Sequence, residues 1–255
     1  MKPQQFRSHF NLNARFHMPL NLRSIIKRAT KPTPWHFSDE QLYKLCHENP
    51  LHAEAEVVLA KILLIGRVYA AAIERRKSDL DKPNDEFYIQ RVAPIIMESS
   101  IDRWIEKSKK HKPGTLEALA VMLETHGRTT ALFSRISGLE KRSLASKYLH
   151  FHVPNLFFIY DSRAIEGMRK VGDIVGIASP YKGKGDHEYA KFAEKCVRLS
   201  RACESDFGCK MNPRKIDNLL LILSEKRNLT FVPTDCQRLP LNSNVSIQPD
   251  KGKTT

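Results

Sequence analysis

After residue 38 the apolar positions recur every three to four residues, and that period predicts helix nearly throughout. SDEQLYKLCHEN opens with Ser38 as an expected N-cap and acids in the first turn. Residues 52–77 form an Ala-, Leu-, Val- and Ile-rich pattern ending in the basic IERRK, where the helix dipole favours cations. Residues 85–112 predict a helix that Pro94 kinks or divides, because proline lacks an N–H and crowds the preceding turn. GTLEALAVMLETHG (114–127) predicts a helix started at Thr115 and stopped by Gly127. TTALFSRIS then leads to Gly138, and LEKRSLASKYLHFH forms the next helix. A further helix is expected near Asp161, and residues 187–204 and 213–227 supply two more. In the last of these Ile216, Leu219, Leu220 and Leu223 share one face.

No alternating strand pattern of useful length interrupts this rhythm. LFFIY (156–160) is short enough to be a buried connector between two helices. The expected fold is therefore all-α. Residues 1–34 read as a basic N-terminal arm and 35–227 as the helical domain. Residues 228–255, with Pro233, Pro240 and Pro249 among Ser, Asn and Thr, read as a loosely held tail.

Charge narrows the partner. The 255 residues carry 42 Lys and Arg against 28 Asp and Glu, a net charge of +14. An excess that large in a chain with a real core points to a polyanion, and nucleic acid is the commonest one. The first 38 residues contain no acid. A transit peptide has that composition, but the basic theme continues along the chain and favours an arm lying on DNA. No apolar run is long enough to cross a bilayer; 57–73 comes nearest, and Lys61 and Arg67 interrupt it. No membrane partner is expected.

The five cysteines are odd in number and suit a reducing cytoplasm. Cys196, Cys203 and Cys209 are spaced C-x6-C-x5-C, but an iron–sulfur cluster needs four thiolates. Cys196 and Cys203 also fall on one helix face. No metal and no cofactor is expected.

The candidate chemistry lies in residues 130–164. A helix meets the turn Ser137-Gly138-Leu139, and a second helix runs to residue 152, so 130–152 outline a helix–hairpin–helix. Backbone N–H groups at such a glycine can approach a DNA phosphate. A C-capping glycine in any α-hairpin has the same look. Asp161 follows Gly138 by 23 residues (161 − 138) at an expected helix start.

With that spacing the chain resembles the helix–hairpin–helix DNA glycosylases. In that superfamily a catalytic Asp heads the helix after the hairpin. The phrase Ala145-Ser146-Lys147-Tyr148-Leu149, then Ile159-Tyr160-Asp161 and Arg163, is similar to that of archaeal 8-oxoguanine glycosylases. LIGRVYAAAIERR (64–76) together with ASKYLHFH and IYDSRA resembles a bacterial group tied to phage defence, whose target is α-glucosyl-hydroxymethylcytosine in phage DNA. The resemblance implies two helical lobes with a cleft between them, double-stranded DNA as partner, a monomer and a bacterial cytoplasmic setting.

It also assigns residues. Asp161 would stabilise positive charge on the deoxyribose and activate water. An Asp at a helix start can equally be a cap and nothing more. Bifunctional relatives carry a Schiff-base lysine where this chain has Ser143, which implies base release without strand cutting. Lys147, one turn along, is the alternative nucleophile of a glycosylase/lyase. Ser137, Gly138, Lys141, Arg142, Ser143 and Arg163 are the expected DNA contacts. Tyr148, His152, Tyr160 and Trp104 are the expected stacking groups around an extruded base. A non-catalytic helix–hairpin–helix DNA-binding protein shares the same charge and hairpin.

Overall fold

The computed structural model describes residues 22–75, 84–178 and 185–225. Among them every regular element is helical. The order is α1 Arg23–Ala29, α2 His36–Glu48, α3 Ala55–Val68, α4 Asn84–Phe87, a π-helical stretch Tyr88–Val92, α5 Ala93–Met97, α6 Ile101–Lys109 and α7 Leu116–Ser137. Then come α8 Arg142–His152, α9 Ser162–Lys170, α10 Gly172–Val175, α11 His187–Phe207 and α12 Pro213–Ser224. No helix of the described residues is long and apolar enough to cross a membrane.

Five elements differ from the sequence reading, each for a local reason. α2 starts at His36 with Trp35 as its N-cap, so Ser38 lies inside the first turn and is not the cap. The helix expected over 52–77 stops at Val68, because the chain folds back: Ala70 takes φ 50° and the Ala71 N–H donates to the Gly66 carbonyl at 2.7 Å. Gly127 does not end a helix. α7 runs through it to Ser137, and Gly138 at φ 71° is the left-handed C-cap instead. A helical glycine costs only about 1 kcal/mol, which the thirteen residues α7 buries easily offset. Pro94 neither breaks nor simply kinks its helix. The ladder widens to π form over Tyr88–Val92 and re-forms with proline in its first turn. Finally, the expected arm contains α1, whose Ile26 and Ala29 are buried against α12, and Asn218 Nδ2 donates to the Ala29 carbonyl at 3.4 Å. Two apolar positions three apart among basic residues carry too little pattern to announce that helix. Residues 1–21 of the expected arm and all of the expected tail, 228–255, lie outside the described residues.

One core joins α1 through α12. α8 lies at its centre: Leu144 through His152 are all buried. Residues 156–159 are a buried connector as expected, carrying the chain from α8 to α9 without strand pairing. α9 in turn crosses α12 so closely that a Cβ on Gly167 would meet the Leu220 carbonyl oxygen at 2.0 Å. Cys196 and Cys203 bury together in the core face of α11, and burial pushes the Cys203 thiol up to about 12.

Candidate active site

Asp161 is the N-cap of α9. Its backbone is extended (φ −154°, ψ 178°), and Oδ1 accepts from the Ala164 N–H at 2.9 Å. The positive end of the helix dipole favours the carboxylate there. Its other oxygen, Oδ2, faces Lys147 Nζ at 3.3 Å. The two residues come together because the connector doubles back. Ser146 Oγ accepts from the Tyr160 N–H at 3.0 Å, which ties the end of the connector to the middle of α8.

Lys147 is 3 % exposed and Asp161 24 %. The ammonium also donates to the Tyr69 carbonyl at 3.0 Å and to Ser143 Oγ at 3.1 Å. Its three donors therefore have three acceptors. The serine standing where a Schiff-base lysine was sought is itself an acceptor for Lys147. Tyr69 is the residue at which α3 turns back, so the early end of α3 is what delivers its carbonyl and ring to this lysine.

Behind the pair is a charged cluster that sequence reasoning missed. Arg214, on α12, donates through Nε to Tyr43 Oη at 3.1 Å, through Nη2 to Tyr69 Oη at 2.9 Å and through Nη1 to Asp217 Oδ2 at 3.1 Å. Tyr69 Oη donates to Asp39 Oδ1, and Tyr43 Oη pairs with His150 Nε2 at 2.7 Å. His150 Nδ1 lies 2.8 Å from the Phe157 carbonyl, so Nδ1 carries the proton and Nε2 accepts from Tyr43. Asp217 is buried, and its Oδ1 has no hydrogen-bond partner. Burial pushes its carboxyl up to about 7; Arg214 opposes that shift and the charge of Asp161 adds to it. The only sequence signal for this cluster was the Arg214/Asp217 pair one turn apart after Asn212-Pro213.

The remaining candidates divide. Tyr160 is half-buried beside Asp161, with the Arg142 guanidinium over its ring at 5.4 Å and Phe192 edge-on at 5.2 Å. Tyr148 is in the core: it is fully buried and its hydroxyl lies 2.6 Å from His52 Nε2, while His52 Nδ1 pairs with Asp102 at 2.5 Å. His152 stacks on His52, and Trp104 is on α6 with Arg128 over its ring at 5.7 Å. These three do not form a common face with Tyr160. Lys141 is buried and donates to the Ala72 and Arg75 carbonyls, bracing the 71–75 turn rather than projecting outward. Arg142 pairs with Asp186 and Glu140. Ser137 Oγ donates to the Phe133 carbonyl at 2.9 Å, and Arg163 is exposed 3.9 Å from Glu225. Of the lysine- and glycine-rich stretch 180–189, residues 180–184 lie outside the described residues; Asp186 caps α11.

No group of three or more His, Cys, Asp or Glu side chains suited to a metal occurs among the described residues. No protein-family model matches the chain, and no curated protein or solved structure matches it significantly.

Proposed function

We propose that the chain is a monofunctional DNA N-glycosylase. The observation that carries the reading is the Asp161–Lys147 pair at the head of α9, one helix beyond a left-handed glycine turn. A carboxylate held by a backbone N–H and an ammonium still has lone pairs for a water and for a developing cation. Stabilising positive charge at C1′ lets the bond to the base break. Water adds to C1′, its proton passes to Asp161, and the base departs to leave an abasic site. The net charge of +14 suits double-stranded DNA as substrate. By resemblance the base is a modified one, α-glucosyl-hydroxymethylcytosine of phage DNA first and 8-oxoguanine second.

In this reading Lys147 positions Asp161 and is not a nucleophile. A buried lysine with all three donors engaged has no lone pair to offer a sugar carbon. This separates the proposal from a glycosylase/lyase. Tyr160, beside Asp161 and only half-buried, is the stacking group the geometry favours for the extruded base.

The test is to incubate the protein with glucosylated phage DNA, 8-oxoguanine duplexes and unmodified DNA, and to score abasic sites by alkaline cleavage. Cleavage that appears only after alkali, on one modified DNA, is the expected result. Salt-dependent binding with no abasic product on any DNA would make the chain a binding module instead.

A further inference from the structure

Two large aromatic rings stand in solvent at the corner between α1 and α2. Trp35 is 70 % exposed and Phe37 72 %. Single exposed apolar residues are ordinary, but clustered ones mark an interaction site. Neither ring belongs to the core or to the side chains packed against it. The exposure does not come from a loose end. Ile26 and Ala29 of α1 and Leu42 and Cys46 of α2 are buried on either side of the corner. The corner itself is pinned. The Lys31 N–H donates to the Arg28 carbonyl at 3.1 Å and the His36 N–H to the Thr33 carbonyl at 3.0 Å. Thr33 Oγ1 accepts from the Trp35 N–H at 3.3 Å, and Pro32 and Pro34 restrict the backbone between the helices. The rings are therefore held out on an anchored turn, with few torsions to freeze on binding.

The charge around the rings points to the partner. Arg23, Lys27, Arg28 and Lys31 are all exposed, and none pairs with an acid among the described residues. No acid precedes Asp39 in the chain, and Asp39 is buried. The first exposed acid, Glu40, is shared with His36 at 3.1 Å. Cations bind phosphates in any form of nucleic acid, so the rings decide the form. In a duplex each base face is already stacked on its neighbour. An indole or phenyl ring gains only from bases that are unpaired. α2 also leads to the candidate active site. The Trp35 carbonyl accepts from the Asp39 N–H at 3.0 Å, and Asp39, one turn on, lies 3.7 Å from Arg214 Nε in the cluster behind Asp161.

We propose that this corner docks an unpaired segment of DNA, with bases stacked on Trp35 and Phe37 and phosphates along Lys27, Arg28 and Lys31. The choice of DNA over RNA rests on the reading of Asp161 as the acid of a glycosylase. The stacking of unpaired bases does not, and it uses neither Asp161 nor Lys147.

Fluorescence anisotropy on the full chain tests it with an oligodeoxythymidylate of about 15 nucleotides, an oligouridylate and a mixed-sequence duplex of the same length. Sedimentation with phosphatidylserine vesicles is run in parallel. The deoxy strand is expected to bind about tenfold tighter than the duplex. Trp35→Ala and Phe37→Ala should each weaken the strand by about tenfold and the duplex by much less. Both side chains are exposed, so neither variant should melt below wild type. Trp35→Phe, which keeps a ring, should retain most of the affinity. The strand should quench tryptophan emission in wild type and much less in Trp35→Ala, whose remaining tryptophan is Trp104. Lys27→Glu/Lys31→Glu should flatten the salt dependence of strand binding. Equal affinity for strand and duplex, wild-type affinity in either ring variant, tighter binding of the oligouridylate, or binding to vesicles alone would overturn the proposal. Abasic product together with wild-type strand affinity in a ring variant fails this surface and keeps the glycosylase. Stacking on the strand with no abasic product from any DNA does the reverse.

Discussion

Lys147 Nζ lies 3.3 Å from Asp161 Oδ2, and the same ammonium reaches the Tyr69 carbonyl and Ser143 Oγ. Three parts of the chain are thus held by one buried cation. Replacing Lys147 by Met leaves those acceptors without their donor, at about 1–3 kcal/mol for each buried group left unpaired. Thermal melting should fall by several degrees. If the lysine only positions the acid, the Met variant lowers kcat by about 100-fold while KM barely moves. Borohydride should trap no adduct with wild type; a trapped adduct that disappears in Lys147→Met would make the chain a lyase.

Gly167→Ala tests whether the seat of α9 on α12 is as close as the backbone indicates. A Cβ would meet the Leu220 carbonyl oxygen at 2.0 Å, and a backbone atom cannot swing aside. Overpacking costs about 1–3 kcal/mol and sometimes more. The expected outcome is a clear fall in the denaturant midpoint with an unchanged slope. A variant as stable as wild type would mean the two helices are further apart.

Acid should unfold this protein from its histidines. Burial pushes His126 down to about 4 and His150 down to about 3. In the unfolded chain both titrate near 6.5. Between those values the unfolded state binds more protons, so their contribution is complete above pH 6.5 and fades as pH falls toward 3. Melting temperature followed from pH 7 to pH 4 should drop, and His150→Phe, if it folds, should reduce that slope.

Asp217 acts in the opposite sense. Its carboxyl is raised to about 7, so from about pH 4 to 7 the folded state holds a proton that the unfolded state has lost. Stability from this group falls as pH rises through that window. Asp217→Asn, which mimics the protonated form, should be closest to wild type at pH 5 and more stable than wild type at pH 8. Equal differences at both pH values would show that Asp217 is ionised throughout.

Much of this was legible in the sequence, and what was not has a physical cause. The helical rhythm, the hairpin glycine and the acid at a helix head follow from local pattern, and Gly138 and Asp161 adopt the conformations expected of a left-handed cap and an N-cap. Lys147 was readable as a candidate, but not its burial, because that depends on Tyr69 arriving from α3. The turn that brings Tyr69 has no glycine at its left-handed position; Ala70 occupies it. Tyr148 and His152 share a face with Lys147's helix neighbours in sequence, yet a helix buried on all sides gives its aromatics to the core. Arg214 and Asp217 were invisible as site residues because their partners Tyr43, Tyr69 and Asp39 are far away in the chain.

Asp161→Asn gives the most direct test of the central claim. Asn keeps the oxygen that caps α9 but turns its NH2 toward the buried Lys147 ammonium, so the variant should melt several degrees below wild type, and rates are compared at a temperature where both are folded. In the proposed reaction, single-turnover base release from the modified substrate should nevertheless fall by about 100- to 10,000-fold relative to wild type. Release by the Asn variant at the wild-type rate would contradict the account, and Asp161 would then be a helix cap alone.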